Sequence, residues 1–188
     1  MNSMKFALPF LVCTLLLLGF LDADTPNLFF EWTVSYAQRS PLGVQKQVIM
    51  INDQFPGPLL NTTTNDIVNI NVFNNLTEPF LFTWNGVQQR RNSWQDGVQG
   101  TNCPILPGRN WTYSFQMKDQ IGSFFYFPSL LLQKAAGGYG AIRINNRPVI
   151  PIPFSTPYKE FDILIGDWFI SDYQDMRSSL DRGIPLPS

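Results

Sequence analysis

The 188-residue chain contains no histidine. Imidazole is the commonest protein ligand for transition metals, so a metal centre built on ring nitrogens is excluded. Charge is scarce as well. Charged residues make up 14% of the chain and the formal net charge is -1, well under the roughly one quarter usual in soluble domains. That balance offers no basic footprint for nucleic acid and no polybasic patch for an anionic membrane. The polar surface must then come from Asn, Gln, Ser and Thr, or from attached sugar. Cysteine is nearly absent, with Cys13 and Cys103 alone.

What is present begins with an apolar run from Ala7 to Phe20, behind Lys5 and ahead of Leu21-Asp22-Ala23. This is the layout of a secretory signal over residues 1–23, cut after about residue 23. A retained anchor is the alternative, but the run is shorter than the ~20 residues a spanning helix needs, and no later segment is long and apolar enough to span. Cleavage would remove Cys13 and leave Cys103 as an odd cysteine. In a secreted chain that points to a partner outside the chain or to a free thiol. Three N-x-[ST] acceptor patterns follow, at Asn61, Asn75 and Asn110, and predict surface glycosylation.

Aromatics are 14% of the chain, with 16 Phe, a composition suited to β structure. Phe30, Trp32, Val34 and Tyr36 alternate with polar residues, as do Val68, Ile70 and Val72, and again Trp111, Tyr113, Phe115 and Met117. A period of two marks half-buried strands. Val48 to Ile51, Ser123 to Phe127 and Ala141 to Ile144 read as further strands. About seven short strands with regular turns imply an all-β sandwich or barrel over residues 24–146. Residues 147–160 carry Pro148, Pro151, Pro153 and Pro157, a stiff, semi-extended linker. Beyond it, Phe161 to Trp168 reads as a buried-type strand. Asp172 is placed to cap a short helix with Met176 and Leu180 on one face and Gly183 as its stop. Residues 161–188 are too few for a core of their own, so they read as the unfinished start of a second domain.

Several motifs carry a family resemblance. Asn52-Asp53-Gln54-Phe55-Pro56-Gly57-Pro58 resembles the N-G-x-F-P-G-P segment of the first cupredoxin domain in ascorbate oxidase and laccase. Thr83-Trp84-Asn85-Gly86 lies where that family has H-W-H-G, and Trp94-Gln95-Asp96-Gly97 is similar to its W-x-D-G. Cys103-Pro104-Ile105-Leu106-Pro107-Gly108 is similar to C-x-I-x-P-G. Gly122 to Ser129 lies on G-T-F-F-Y-H-G-H, and Gly138-Tyr139-Gly140 and Gly166-Asp167-Trp168 continue the series. The departures resemble the plant ascorbate oxidase homologues of the skewed-growth and pollen-specific branch. The resemblance implies a Greek-key cupredoxin-like sandwich or barrel, followed by the start of a second cupredoxin domain.

In that family the two H-x-H motifs give four imidazoles to a trinuclear copper cluster. The matching positions here are Thr83, Asn85, Phe127 and Ser129. Hydroxyls and amide carbonyls are poor Cu(II) donors and a phenyl ring is none. The reading is therefore no catalytic residue, no metal site and no cofactor, copper being implied by resemblance only. Thr83 and Asn85 are expected to hydrogen-bond within the old site and Phe127 to fill it. A remodelled pocket for a sugar is the sharper alternative, with Trp84, Trp94, Gln95 and Asp96 as candidates. By resemblance, Cys103 pairs with a cysteine outside this chain.

These readings converge on a secreted, catalytically inactive glycoprotein of the cell wall. By resemblance it acts in wall expansion or polar growth, such as that of pollen tubes. Its partners would be the remaining cupredoxin domains of a longer protein and cell-wall polysaccharide. A copper oxidoreductase of the ascorbate oxidase class and a carbohydrate-binding extracellular module are the alternatives.

Overall fold

A computed structural model describes residues 25–186 of the chain. The signal segment, with Cys13, lies outside the described residues. Among the described residues, the regular structure is eight strands, one α-helix and two short 3-10 turns (Ser93–Gln95 and Gln133–Ala136): β1 (Asn27–Arg39), β2 (Lys46–Ile51), β3 (Leu60–Thr63), β4 (Ile67–Asn74), β5 (Phe82–Asn85), β6 (Asn110–Gln116), β7 (Gly122–Pro128), β8 (Gly140–Asn145) and α1 (Tyr173–Asp181). They form two four-stranded sheets, ordered β2-β1-β4-β6 and β3-β8-β7-β5. The pairs β1/β4 and β3/β8 are parallel and the rest antiparallel.

The alternation in the sequence decides which side chains meet between the sheets. Trp32, Val34, Val68, Ile70, Val72, Tyr113 and Phe115 point inward from one sheet. Leu60, Phe82, Trp84, Tyr126, Ile142 and Ile144 point inward from the other, and all are buried. Rings meet across the gap: Trp32 and Tyr126 at 4.7 Å, Trp84 and Phe115 at 4.9 Å. Each such pair adds about 0.5–1.5 kcal/mol beyond the area it buries.

The turn after β2 shows why its motif has that composition. Asn52 and Asp53 adopt positive φ, at 50° and 59°, a region open to Asn and Asp more than to bulkier residues. The Asn52 amide accepts from the Thr33 backbone N–H at 2.7 Å and donates to the Glu31 carbonyl at 2.9 Å. Tyr126 then donates from its phenol to the Pro58 carbonyl at 2.7 Å.

Two expectations need correction. Residues 161–168 do not form a strand: Phe161, Ile163 and Ile165 are exposed, and the segment has no ladder among the described residues. A strand needs a neighbour for its backbone groups. Arg143 of β8 holds Asp162 through two hydrogen bonds of 2.6 and 3.1 Å, but both edges of β8 are already taken by β3 and β7. The helix does form with Asp172 at its N-cap, yet the Asp172 side chain makes no capping hydrogen bond. Its buried residues are Tyr173 and Met176, while Leu180 is exposed. Gly183 ends it at φ +72°. Gly183 N–H bonds the Leu180 carbonyl and Ile184 N–H the Ser179 carbonyl, both at 2.9 Å, the two bonds of a Schellman cap.

The approach to α1 is pinned to the sandwich. Lys46, 5% exposed, donates to the carbonyls of Phe169 and Ser171 at 2.9 Å each. Its ammonium lies 4.9 Å from the Trp168 ring centre, and Trp168 packs edge-on against Phe55. Tyr173 donates to Glu78 at 2.7 Å and shares a 2.8 Å hydrogen bond with Tyr36.

Candidate functional site

The pairing of β5 with β7 sets Thr83 opposite Phe127 and Asn85 opposite Phe125. Phe82, Trp84, Tyr126 and Pro128 alternate with these and face the core. The other face of the ladder therefore carries Thr83, Asn85, Phe125 and Phe127 together, with Ser129 just beyond.

Asp96 organises one side of this face. A short 3-10 turn over Ser93–Gln95 delivers it. One of its oxygens accepts from the Thr83 hydroxyl at 2.7 Å and from the Trp84 backbone N–H at 3.0 Å. Gly97 follows because a Cβ there would overlap the Phe82 carbonyl. Ser129 donates its hydroxyl to the carbonyls of Gly97 and Leu81. Asn85, expected to hydrogen-bond within the site, instead lies exposed at the strand end, where its side chain meets water.

The other side is aromatic and cationic. Phe125 and Phe127 stack at 5.2 Å with 26° between their planes. The Lys134 ammonium stands 3.9 Å from the Phe127 ring centre and 5.2 Å from that of Phe125. Leu131 and Leu132, at φ 57° and 60°, turn the chain toward it. Such backbone costs about 1–3 kcal/mol per residue.

These residues do not fit a copper ion. The Thr83 and Ser129 hydroxyls are committed to Asp96 and to carbonyls. Phe127 has no lone pair, and an ammonium beside its ring repels a second cation. No group of three or more His, Cys, Asp or Glu among the described residues is placed to hold a metal.

The four pocket candidates do not line one cavity. Trp84 is 1% exposed and packs between Trp32, Tyr113, Phe115 and Tyr126. Trp94 is 56% exposed and borders a cavity of about 350 Å³ with Trp111, Arg109 and Cys103. Gln95 accepts from the Trp111 indole N–H at 3.3 Å, and Asp96 faces Thr83. The Cys103 thiol is exposed and forms no disulfide among the described residues. Asn61, Asn75 and Asn110 are all exposed. Asn61 accepts from Asn145 at 2.7 Å, and Asn110 donates to Asn71 at 3.0 Å.

Residues 33–149 match the family model described as multicopper oxidase. The chain belongs to the multicopper oxidase family. Within it, the chain is 59% identical over 177 residues to the monocopper oxidase-like protein SKS1 of Arabidopsis thaliana, covering 94% of this chain and 30% of that one. It is 55% identical over 161 residues to an L-ascorbate oxidase homolog of Nicotiana tabacum, covering 86% and 29%. The chain thus spans under a third of the length of these curated relatives. Among solved structures it resembles the multicopper oxidase mgLAC, with a TM-score of 0.62 and 30% identity over 68% of this chain and 41% of that one. It also resembles Fet3p, a multicopper oxidase described as functioning in iron import, with a TM-score of 0.63 and 26% identity over 69% and 25%. The two-sheet sandwich is the cupredoxin-like fold of that family.

Sequence reasoning missed two features of this face. One is the role of Lys134, which the sequence offers only as the end of the Tyr126–Lys134 segment that resembles the ascorbate oxidase homologues. The other is a cleft of about 480 Å³ between β7 and residues 164–169, lined by Phe125, Leu132, Lys134, Tyr139, Ile165 and Phe169 among others. It joins residues some 40 positions apart, which no local pattern reveals. Burial pushes the Tyr139 phenol beside it above its ordinary value. Burial does the same, more strongly, to Tyr113 and Tyr126 in the core.

Proposed function

We propose that the chain is the first cupredoxin-like part of a secreted, catalytically inactive glycoprotein acting in the plant cell wall, in wall expansion or polar growth. One observation carries the inactivity: none of the four positions of the family's H-x-H motifs holds an imidazole, and three of them hold side chains engaged in other work or lacking a donor. Thr83 serves Asp96, Ser129 serves two carbonyls, Asn85 faces solvent, and Phe127 stacks under the Lys134 ammonium. The apolar run before residue 23 and the three exposed acceptor asparagines support secretion and glycosylation. The likeness to SKU5-type proteins of Arabidopsis, 56% over 169 residues, supports the placement in that branch.

The test is metal analysis of the chain secreted from a eukaryotic host and incubated with Cu(II) under reducing and oxidising conditions. We expect copper well below one ion per chain after desalting, with no ascorbate or phenol oxidation above the buffer. Stoichiometric, dialysis-resistant copper would overturn the reading.

A further inference from the structure

We propose that the cleft between β7 and residues 164–169 binds a small amphipathic monocarboxylate, a flat apolar body with one anionic end. Its volume of about 480 Å³ falls within the range of small-molecule sites, roughly 300–1,000 Å³. Phe125, Tyr139 and Phe169 supply half-buried apolar walls, with Leu132 and Ile165 exposed at the rim. Lys134 supplies the one cation. Its contacts are the faces of Phe125 and Phe127, and it forms no hydrogen bond or ion pair among the described residues.

That combination selects the ligand class. Lys134 is exposed; its ammonium is strongly hydrated, and on the side of the rings it meets only a ring quadrupole. A carboxylate entering the cleft would give it a charge-assisted hydrogen bond, about twice as strong as a neutral one. A ligand with the apolar body alone would leave the ammonium as it is. Asp167 also borders the cleft and its negative charge opposes any anion, so the single Lys134 charge offsets one carboxylate and leaves a second disfavoured. A single carboxylate on a ring or short apolar chain satisfies all three constraints. The inference rests on the copper-free reading of this face, because Lys134 stands over the ring at a former ligand position.

The experiment uses the full chain, with copper content measured on the same sample. Phenylacetate, its neutral isostere phenylacetamide and the dianion phenylmalonate are compared by calorimetry or ligand-observed NMR. We expect phenylacetate to bind about two- to fivefold more tightly than phenylacetamide, the discrimination an ion pair with an exposed lysine provides, and more tightly than phenylmalonate. In Lys134→Gln, checked for native circular dichroism, the preference over the amide should vanish. Equal binding of acid and amide by the unaltered chain would overturn the proposal, as would an unchanged preference in Lys134→Gln. Copper-loaded protein would count against the functional reading above. Metal-free protein that ignores phenylacetate at millimolar concentration would count against the cleft alone.

Discussion

Asp96 shows how one carboxylate can hold a remodelled face in place. It ties the Thr83 side chain and the Trp84 backbone to the turn before Gly97. Replacing Thr83 by Val keeps the shape but removes a donor to a half-buried carboxylate. We expect Thr83→Val to cost about 1–3 kcal/mol, read as a lower urea midpoint with an unchanged slope. A loss below a few tenths would mean water replaces the hydroxyl freely. The buried phenols give a second expectation at this scale. Tyr113, Tyr126, Tyr139 and Tyr173 all titrate above the ordinary tyrosine value of 10.0, burial being the first cause in each. The folded state then binds more protons than the unfolded state at high pH. Their neutral forms favour folding fully below pH 10, and stability falls as pH rises past that value. Lys46, which burial pushes below its ordinary value, acts in the opposite sense but as a single group. Urea midpoints measured from pH 8 to 12 should decline above about pH 10; a flat profile would refute the assignment.

Among the elements, what was legible in the sequence followed the strength of the pattern. β1, β4 and β6 were readable because each alternates over three or more apolar positions against a polar outer face. β5 was visible only as part of a motif, since four residues are too few to show a period. The run at 161–168 misled for a related reason: apolar composition reports a wish for burial, not a free sheet edge to satisfy it. Asp96 was found as a polar residue near the site, but its service to Thr83 and Trp84 depends on a turn that no spacing encodes. The contact of α1 with the sandwich was hidden too, because Tyr36, Glu78 and Tyr173 meet across more than 90 positions. Replacing Tyr173 by Phe keeps the ring buried and removes the hydroxyl that links the other two. We expect a loss of about 1–3 kcal/mol. At about 2–4 °C per kcal/mol for a chain of this size, thermal unfolding should show it. An unaltered midpoint would mean the helix start contributes by ring packing alone.

At the level of the whole molecule, two features among the described residues are exposed. Val149, Phe154, Phe161, Ile163 and Ile165 are all exposed along one stretch, and Cys103 offers an exposed thiol. No helix among the described residues is long and apolar enough to cross a membrane. We expect the secreted chain to label with a thiol reagent and to form a disulfide-linked dimer under oxidising conditions, absent in Cys103→Ser. Monomer alone on non-reducing gels, with Cys103 unlabelled, would exclude it. The pinning of residues 168–176 carries a consequence for synthesis on the ribosome. Strands β1 to β8 are complete by residue 145, yet Lys46, Tyr36 and Glu78 do not meet their partners until Phe169, Ser171 and Tyr173 have emerged. A nascent chain paused between these points has all eight strands while the Lys46 ammonium and the Glu78 carboxylate still lack these partners. The order of translation thereby leaves the sandwich closed last from its C-terminal side.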